Sequence, residues 1–234
     1  YQTLFRDQRI WTGYRNSLFY TFFGTFLNLT VTMPAGYALS RKGMFGRRWV
    51  MLFFVFTMYF SGGLIPSYIN IRNLGLINTV WVLLLPGIIS VYNMIIVRSF
   101  FESSIPDALY EAALIDGCKH FLFFFRIVLP LSPAILAVMV LYYALGHWNA
   151  YFNAMIYISD ERLQTLQVIM RSITATVSYT QQEMMSAEEM VELVRTKALI
   201  KYALVIVASL PVLILYPFVQ KFFIHGIMIG SVKG

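Results

Sequence analysis

Five stretches without a single Asp, Glu, Lys or Arg constrain this chain most: residues 17–39, 49–69, 79–97, 131–158 and 202–219. Each is close to the ~20 apolar residues that a helix needs to cross a bilayer's hydrocarbon core. Barrel strands would instead alternate in runs of about ten residues, and these stretches are longer and uniformly apolar. Only helices and closed barrels satisfy their backbone in lipid. The fold class is therefore an all-α membrane protein, a polytopic helical bundle forming one domain over residues 1–234, with five visible transmembrane helices and with lipid as its solvent. Composition agrees. Hydrophobic residues make up 59% and charged residues 12%, against about 25% charged in soluble domains. A soluble enzyme or a disordered chain is excluded on that ground.

The net charge of +7 is spread along the chain. It forms no single basic face, so nucleic acid is not a partner, and the cations are membrane-flank anchors. Cys118 is the only cysteine, which rules out an intrachain disulfide and a multi-cysteine metal site. His120, His147 and His225 are far apart and lack metal-ligand spacing. No cofactor or metal is expected in this chain, and none of its residues is expected to be catalytic.

Three of the five stretches carry break signals: Ser61-Gly62-Gly63 with Pro66, Pro86-Gly87, and Pro211 with Pro217. Proline removes a backbone donor, and in lipid the freed carbonyls need protein or water partners. Gly and Pro are also simply more frequent in membrane helices, but three broken spans point to a moving bundle that lines a cavity. Orientation is poorly marked. The 18 Lys and Arg divide evenly between the two sides, and only the dense short loop Arg41-Lys42…Arg47-Arg48 favours the inside.

The interval 98–130 is the informative one. Ser104-Ile105-Pro106-Asp107 has the grammar of a helix start, with Ser104 as cap and Pro106 in the first turn. Residues 108–115 favour helix, Gly117 supplies a stop, and 119–128 form a second short helix ended by Pro130. A helix–Gly–helix hairpin over 103–130 is expected at the membrane surface. Ala112 and Ala113 follow Leu109 at i+3 and i+4, so small side chains share a face with an apolar one. Such a face lets another protein approach the backbone, or lies as an amphipathic segment at the interface.

At these residues the chain resembles a known family. Glu111-Ala112-Ala113-Leu114-Ile115-Asp116-Gly117-Cys118, then Phe124, Ile127, Leu129 and Pro130, resemble the EAA loop of bacterial ABC importer permeases. Cys118 stands where Ala is usual. Gln220-Lys221, Gly226, Gly230 and Lys233-Gly234 resemble the tail of the carbohydrate-uptake, maltose-type (type I) permeases, and 74–79 resembles a connection between their spans. Tyr142-Tyr143, 147–153 and Tyr216-Pro217-Phe218 resemble the LplC-like branch, which includes permeases for uronate-containing saccharides, alginate among them.

The resemblance implies a permease subunit of an ATP-driven carbohydrate importer in the bacterial cytoplasmic (inner) membrane. Glu111, Ala112, Ala113, Asp116, Gly117 and Pro130 would couple it to a separate ATPase. ATP and Mg would be bound by that partner, which fits the absence of a GxxxxGK loop here. The implied partners are a homologous second permease, two ATP-binding subunits, an extracytoplasmic sugar-binding protein and the saccharide. Such permeases usually have a sixth helix in front. Tyr1 would then lie outside and the tail in the cytoplasm.

The best candidates for the sugar path lie in 131–158. Tyr142, Gly146, Asn149, Asn153 and Tyr157 fall within about 80° of arc on a continuous helix. Amides bond sugar hydroxyls, rings stack on sugar C–H faces, and Gly leaves room. Interhelical bonding by the two Asn is the competing explanation. Asn93 is a further path candidate, and Trp148, off the stripe, is expected to pack. The acceptor-like Asn28-Leu29-Thr30 lies inside a span and so is no glycosylation site. Ser186-Ala187-Glu188-Glu189 is a capping box in the outer interval 159–201, whose mixed charges suit either a solvated surface or docking of the binding protein. The rival classes are an intramembrane enzyme, for which HExxH and GxSxG are both missing, and an ATP-independent channel or secondary transporter. The latter would usually carry an ionisable coupling residue in a span.

Overall fold

The computed structural model describes residues 7–179 and scattered positions between 199 and 217. Among the described residues all regular structure is helical. The capping box at 186–189 and the tail residues 220–234 lie outside them, as do seven positions of the 202–219 stretch.

The organising element is α1 (Gln8–Ser40), 33 residues long and so about 50 Å from end to end. It begins well before the apolar stretch because Asp7 caps it, accepting from the Arg9 amide at 2.9 Å. Asn16, Ser17, Thr25, Asn28 and Thr32 are buried on one side. Leu18, Phe19, Phe22, Phe23 and Phe26 are exposed on the other. This arrangement is inside out relative to a soluble helix, as expected where lipid is the outer solvent and polar groups turn inward.

Three glycines let neighbours approach α1. A Cβ on Gly13 would lie 2.8 Å from Ile169 Cδ1. One on Gly24 would overlap the His147 ring, and one on Gly36 would lie 2.5 Å from Val97 Cγ1. Small residues at crossings are how membrane helices pack without a hydrophobic drive between them.

The remaining elements wrap around α1. They are α2 (Arg47–Tyr59), α3 (Leu64–Asn73), α4 (Trp81–Leu84), α5 (Val91–Ser104), α6 (Asp107–Ile115), α7 (His120–Phe123), α8 (Pro133–Trp148), α9 (Phe152–Tyr157) and α10 (Leu166–Tyr179). A π-helical turn, Phe124–Val128, continues α7. Three expected spans are broken. Residues 49–69 divide into α2 and α3, bent by 112°, at Gly63 with φ +83°. Residues 79–97 divide at Pro86-Gly87, where Gly87 has φ +75°. Residues 131–158 divide between α8 and α9, and the freed Ala150 carbonyl accepts from Thr165 Oγ1 at 3.1 Å. Among the described residues no single helix is both long and apolar enough to cross a membrane; two bent pairs match a span in length and composition, α2 with α3 and α7 plus its π turn with α8. The polar inner face of α1 lowers that helix's mean hydropathy.

Three apolar cores result. One joins Met33, Tyr37, Val97, Phe101, Ile105, Ala113, Phe123 and Phe124 with Val128, Ile135 and Met139. A second joins Tyr20 with Ile71, 82–84, Ala154, Tyr157 and Val168, and a third joins Ile10, Trp148, Leu166 and Ala203. The first ties the 103–130 hairpin into the bundle.

Candidate functional site

The hairpin is built as a local motif. α6 ends in a full Schellman turn: Cys118 N–H donates to Ala113 O at 2.8 Å and Gly117 N–H to Leu114 O at 3.0 Å. Gly117 takes φ +75°, the left-handed conformation that the expected stop requires. The start of α6 differs from expectation. Ser104 is the last residue of α5, and Pro106 precedes α6 with no side-chain cap. Pro106 holds an extended conformation, φ −59° and ψ 143°, so the chain leaves one helix before entering the next.

Asp107 stands in the first turn of α6, where a carboxylate suits the helix dipole. Lys42 Nζ lies 2.8 Å from it and Arg41 NH1 3.8 Å. The Lys42 hydrogen bond holds the Asp107 carboxyl below the usual carboxylate range. The α1–α2 loop and the hairpin thus sit at one end of the bundle.

Small residues divide as the hairpin packs. Ala113 is buried against the core, while Ala112, Glu111, Asp116, Gly117 and Pro130 are exposed. Tyr110 OH and His120 Nε2 are 2.7 Å apart across the bend, their rings stacked at 4.8 Å. Leu114, Ile115, Phe121 and Phe125 are exposed. The result is a braced knob with an apolar rim and the exposed acids Glu111 and Asp116, packed through its inner face against α1, α5 and α8.

The second region is a polar layer where α1 meets α8 and the Pro86-Gly87 break. Asn28 Nδ2 donates to Ile88 O at 2.7 Å and Gly87 O at 3.3 Å. It thereby satisfies the carbonyls that the Pro86-Gly87 break releases. Asn28 Oδ1 accepts from His147 Nε2 at 2.6 Å. Thr32 Oγ1 and Tyr143 OH are 2.7 Å apart. Neither Asn28 nor His147 stands out in the sequence as a structural partner. They are 119 positions apart, and the only local signal is a polar residue in each of two apolar stretches.

The path candidates do not lie on one helix. Tyr142 and Gly146 are exposed on α8, and Asn149 is its C-cap, its Nδ2 donating to Leu145 O at 3.0 Å. Asn153 is exposed on α9 beyond the break, whereas Tyr157 is buried and stacks on Tyr68 at 5.9 Å. Asn93 is buried at the start of α5. A Cβ on Gly146 would meet no atom within 4 Å. Trp148 is buried, and its Nε1 donates to Ala208 O at 3.0 Å.

A broken-helix bundle with a braced hairpin at one end defines a membrane-transport subunit. Residues 10–229 match the binding-protein-dependent transport system inner membrane component family, and the chain belongs to that family. The polygalacturonan/rhamnogalacturonan transport system permease protein YtcP of Bacillus subtilis (strain 168) is 40% identical over 100% of this chain and 81% of its own length. Protein LplC of the same organism is 40% identical over 93% of this chain and 72% of its own length. A crystal structure of a bacterial ABC transporter involved in the import of the acidic polysaccharide alginate has a TM-score of 0.83 at 32% identity, covering 95% of this chain and 78% of that one. The chain is the permease subunit of an ATP-driven importer, a transport component and not an enzyme. It works in the inner membrane with a partner permease, an ATPase and a substrate-binding protein.

Proposed function

We propose that this permease imports an acidic, uronate-containing oligo- or polysaccharide, and that its 103–130 hairpin receives the motor's stroke. The observation that carries this reading is the hairpin itself, anchored by Ala113, Phe123 and Phe124 and offering Glu111, Asp116 and an apolar rim outward. The kinship with a polygalacturonan/rhamnogalacturonan permease and with an alginate importer supports the substrate class.

Two copies of an ATPase bind ATP and Mg, and one receives this hairpin. A homologous permease completes the pore and receives the other copy. A binding protein delivers the saccharide from outside. Tyr142, Gly146, Asn149 and Asn153 form this chain's share of the path, with Tyr157 and Asn93 behind it. None of the five apolar stretches offers a cation, so the acidic sugar is held there by neutral donors. Amide N–H groups donate to carboxylate and hydroxyl oxygens, and the Tyr142 ring lies against C–H faces.

The test is uptake by the four-part complex in vesicles. Oligogalacturonate or oligoalginate uptake should require ATP and exceed that of a neutral oligosaccharide of equal length; equal uptake of the neutral sugar would refute the acidic substrate class. Asn149→Ala with Asn153→Ala should cut uptake about tenfold or more while the complex still assembles, since each lost hydrogen bond removes about 1 kcal/mol. Loss of assembly would assign the pair to packing.

Topology is tested at Cys118. With the hairpin and the chain's C-terminus in the cytoplasm and Tyr1 outside, a membrane-impermeant thiol reagent should spare Cys118 in intact cells. The same reagent should label it in inside-out vesicles. Labelling from outside would reverse the orientation.

A further inference from the structure

An open groove of about 870 Å³ lies on the hairpin-bearing end of the bundle, along the start of α2 and beside α5. Arg47, Arg48 and Arg98 line it together with the apolar Trp49, Leu52 and Val55. α2 buries none of its side chains. Trp49 is 76% and Leu52 55% exposed.

The charges are unbalanced. Glu102 accepts from Arg47 and, at 3.0 Å, from Arg98. Among the described residues Arg48 has no carboxylate partner. Three guanidiniums therefore face one carboxylate. The position fits a membrane boundary: α1 ends at Ser40, the loop carries Arg41 and Lys42, and α2 re-enters with an exposed Trp in its first turn. Trp and basic side chains mark that depth in membrane proteins.

We propose that this groove holds one anionic phospholipid. Its phosphate sits on Arg48 and the free faces of Arg47 and Arg98, and an acyl chain runs along Trp49, Leu52 and Val55. Guanidinium groups present paired donors to phosphate oxygens, and basic pockets beside membrane helices take anionic headgroups. The apolar wall argues against a bare phosphate, which would gain nothing from it. It argues equally against a saccharide, whose hydroxyls would go unpaired along it. A protein covering would bury Arg48 and would have to bring a carboxylate to it. A lipid brings the missing anion and the apolar tail together. Arg47 also donates to Ser40 O, and the adjoining Lys42 holds Asp107. The bound lipid thus braces the α1–α2 loop, whose Lys42 is paired with the first turn of the hairpin.

The experiment is native mass spectrometry of the whole delipidated importer, titrated with phosphatidylglycerol or phosphatidylcholine. Phosphatidylglycerol should add with one high-affinity site that phosphatidylcholine does not fill. Arg48→Glu should weaken that site by about tenfold or more. Leu52→Trp, which fills the wall and leaves the charges, should weaken it as well. Neither variant touches the hairpin or the sugar path, and the readout does not depend on which saccharide is carried. Unchanged phosphatidylglycerol affinity in both variants would overturn the proposal. So would displacement of the lipid by millimolar inorganic phosphate, which would make this a bare anion site. Efficient cross-linking of a cysteine at Leu52 to the partner permease in the assembled complex would also overturn it, because protein would then cover the groove.

Discussion

Gly24→Ala should lower the stability of the permease by about 2–4 kcal/mol, the sum of an overpacked crossing and a broken buried hydrogen bond. The added methyl overlaps the His147 ring. The ring cannot swing aside freely, because its Nε2 is held by Asn28 Oδ1 at 2.6 Å. If it does swing, the buried Asn28 Oδ1 loses its donor, and the Asn28 grip on the Ile88 and Gly87 carbonyls slackens. One methyl on α1 therefore reaches the break between α4 and α5. The diagnostic is a double-mutant cycle. His147→Ala alone should also destabilise, but Gly24→Ala with His147→Ala should cost less than the sum of the two, by 1 kcal/mol or more. The measurement is the thermal midpoint of the purified complex in detergent, followed by assembly yield. Strict additivity would mean that α1 and α8 do not meet through this ring.

What the sequence discloses here depends on how local the cause is. The hairpin bend is legible because Gly117 and its apolar neighbours settle it within six residues, and φ of +75° is what the stop required. The breaks at Gly63 and Pro86-Gly87 are legible for the same reason. The break between α8 and α9 is not. Residues 149–151 contain neither Gly nor Pro, and the acceptor freed there is satisfied by Thr165 from a distant turn. A continuous helix was the natural expectation, and it put Tyr142 and Tyr157 on one stripe; the structure instead exposes the first and buries the second. Ser104 misleads through a competing local rule. Its cap grammar is sound, but Pro106 disfavours helix at the residue before it, so α6 starts after the proline. Asn28 and His147 are legible only as polar residues in apolar runs. Their partnership depends on helix crossings, and those follow from the small residues at 13, 24 and 36, whose partners no local pattern identifies.

Gly117→Asp should leave the permease inserted and folded yet abolish transport. The two halves of that statement rest on different observations. Within this chain the site has room, since a Cβ on Gly117 would meet nothing within 4 Å. The cost is then the left-handed backbone alone, about 1 kcal/mol for a non-glycine residue and less for Asp or Asn, which tolerate that conformation. The Schellman bonds and the anchoring of Ala113, Phe123 and Phe124 hold the bend in place. Open space at an exposed bend becomes contested once the ATPase sits on it. There a carboxylate adds bulk and a charge beside Asp116 and Glu111, both exposed. Gly117→Asn carries the same backbone strain without the charge and should retain part of the activity. Glu111→Lys should act in the same direction as Gly117→Asp, more mildly. Three measurements separate the cases: thermal stability of the permease, co-purification of the ATPase, and ATP-driven uptake in vesicles. Stability should fall by no more than about 1 kcal/mol. ATPase co-purification or its stimulation by substrate should drop, and uptake should vanish. Full uptake by the Gly117→Asp protein would show that the motor pushes elsewhere.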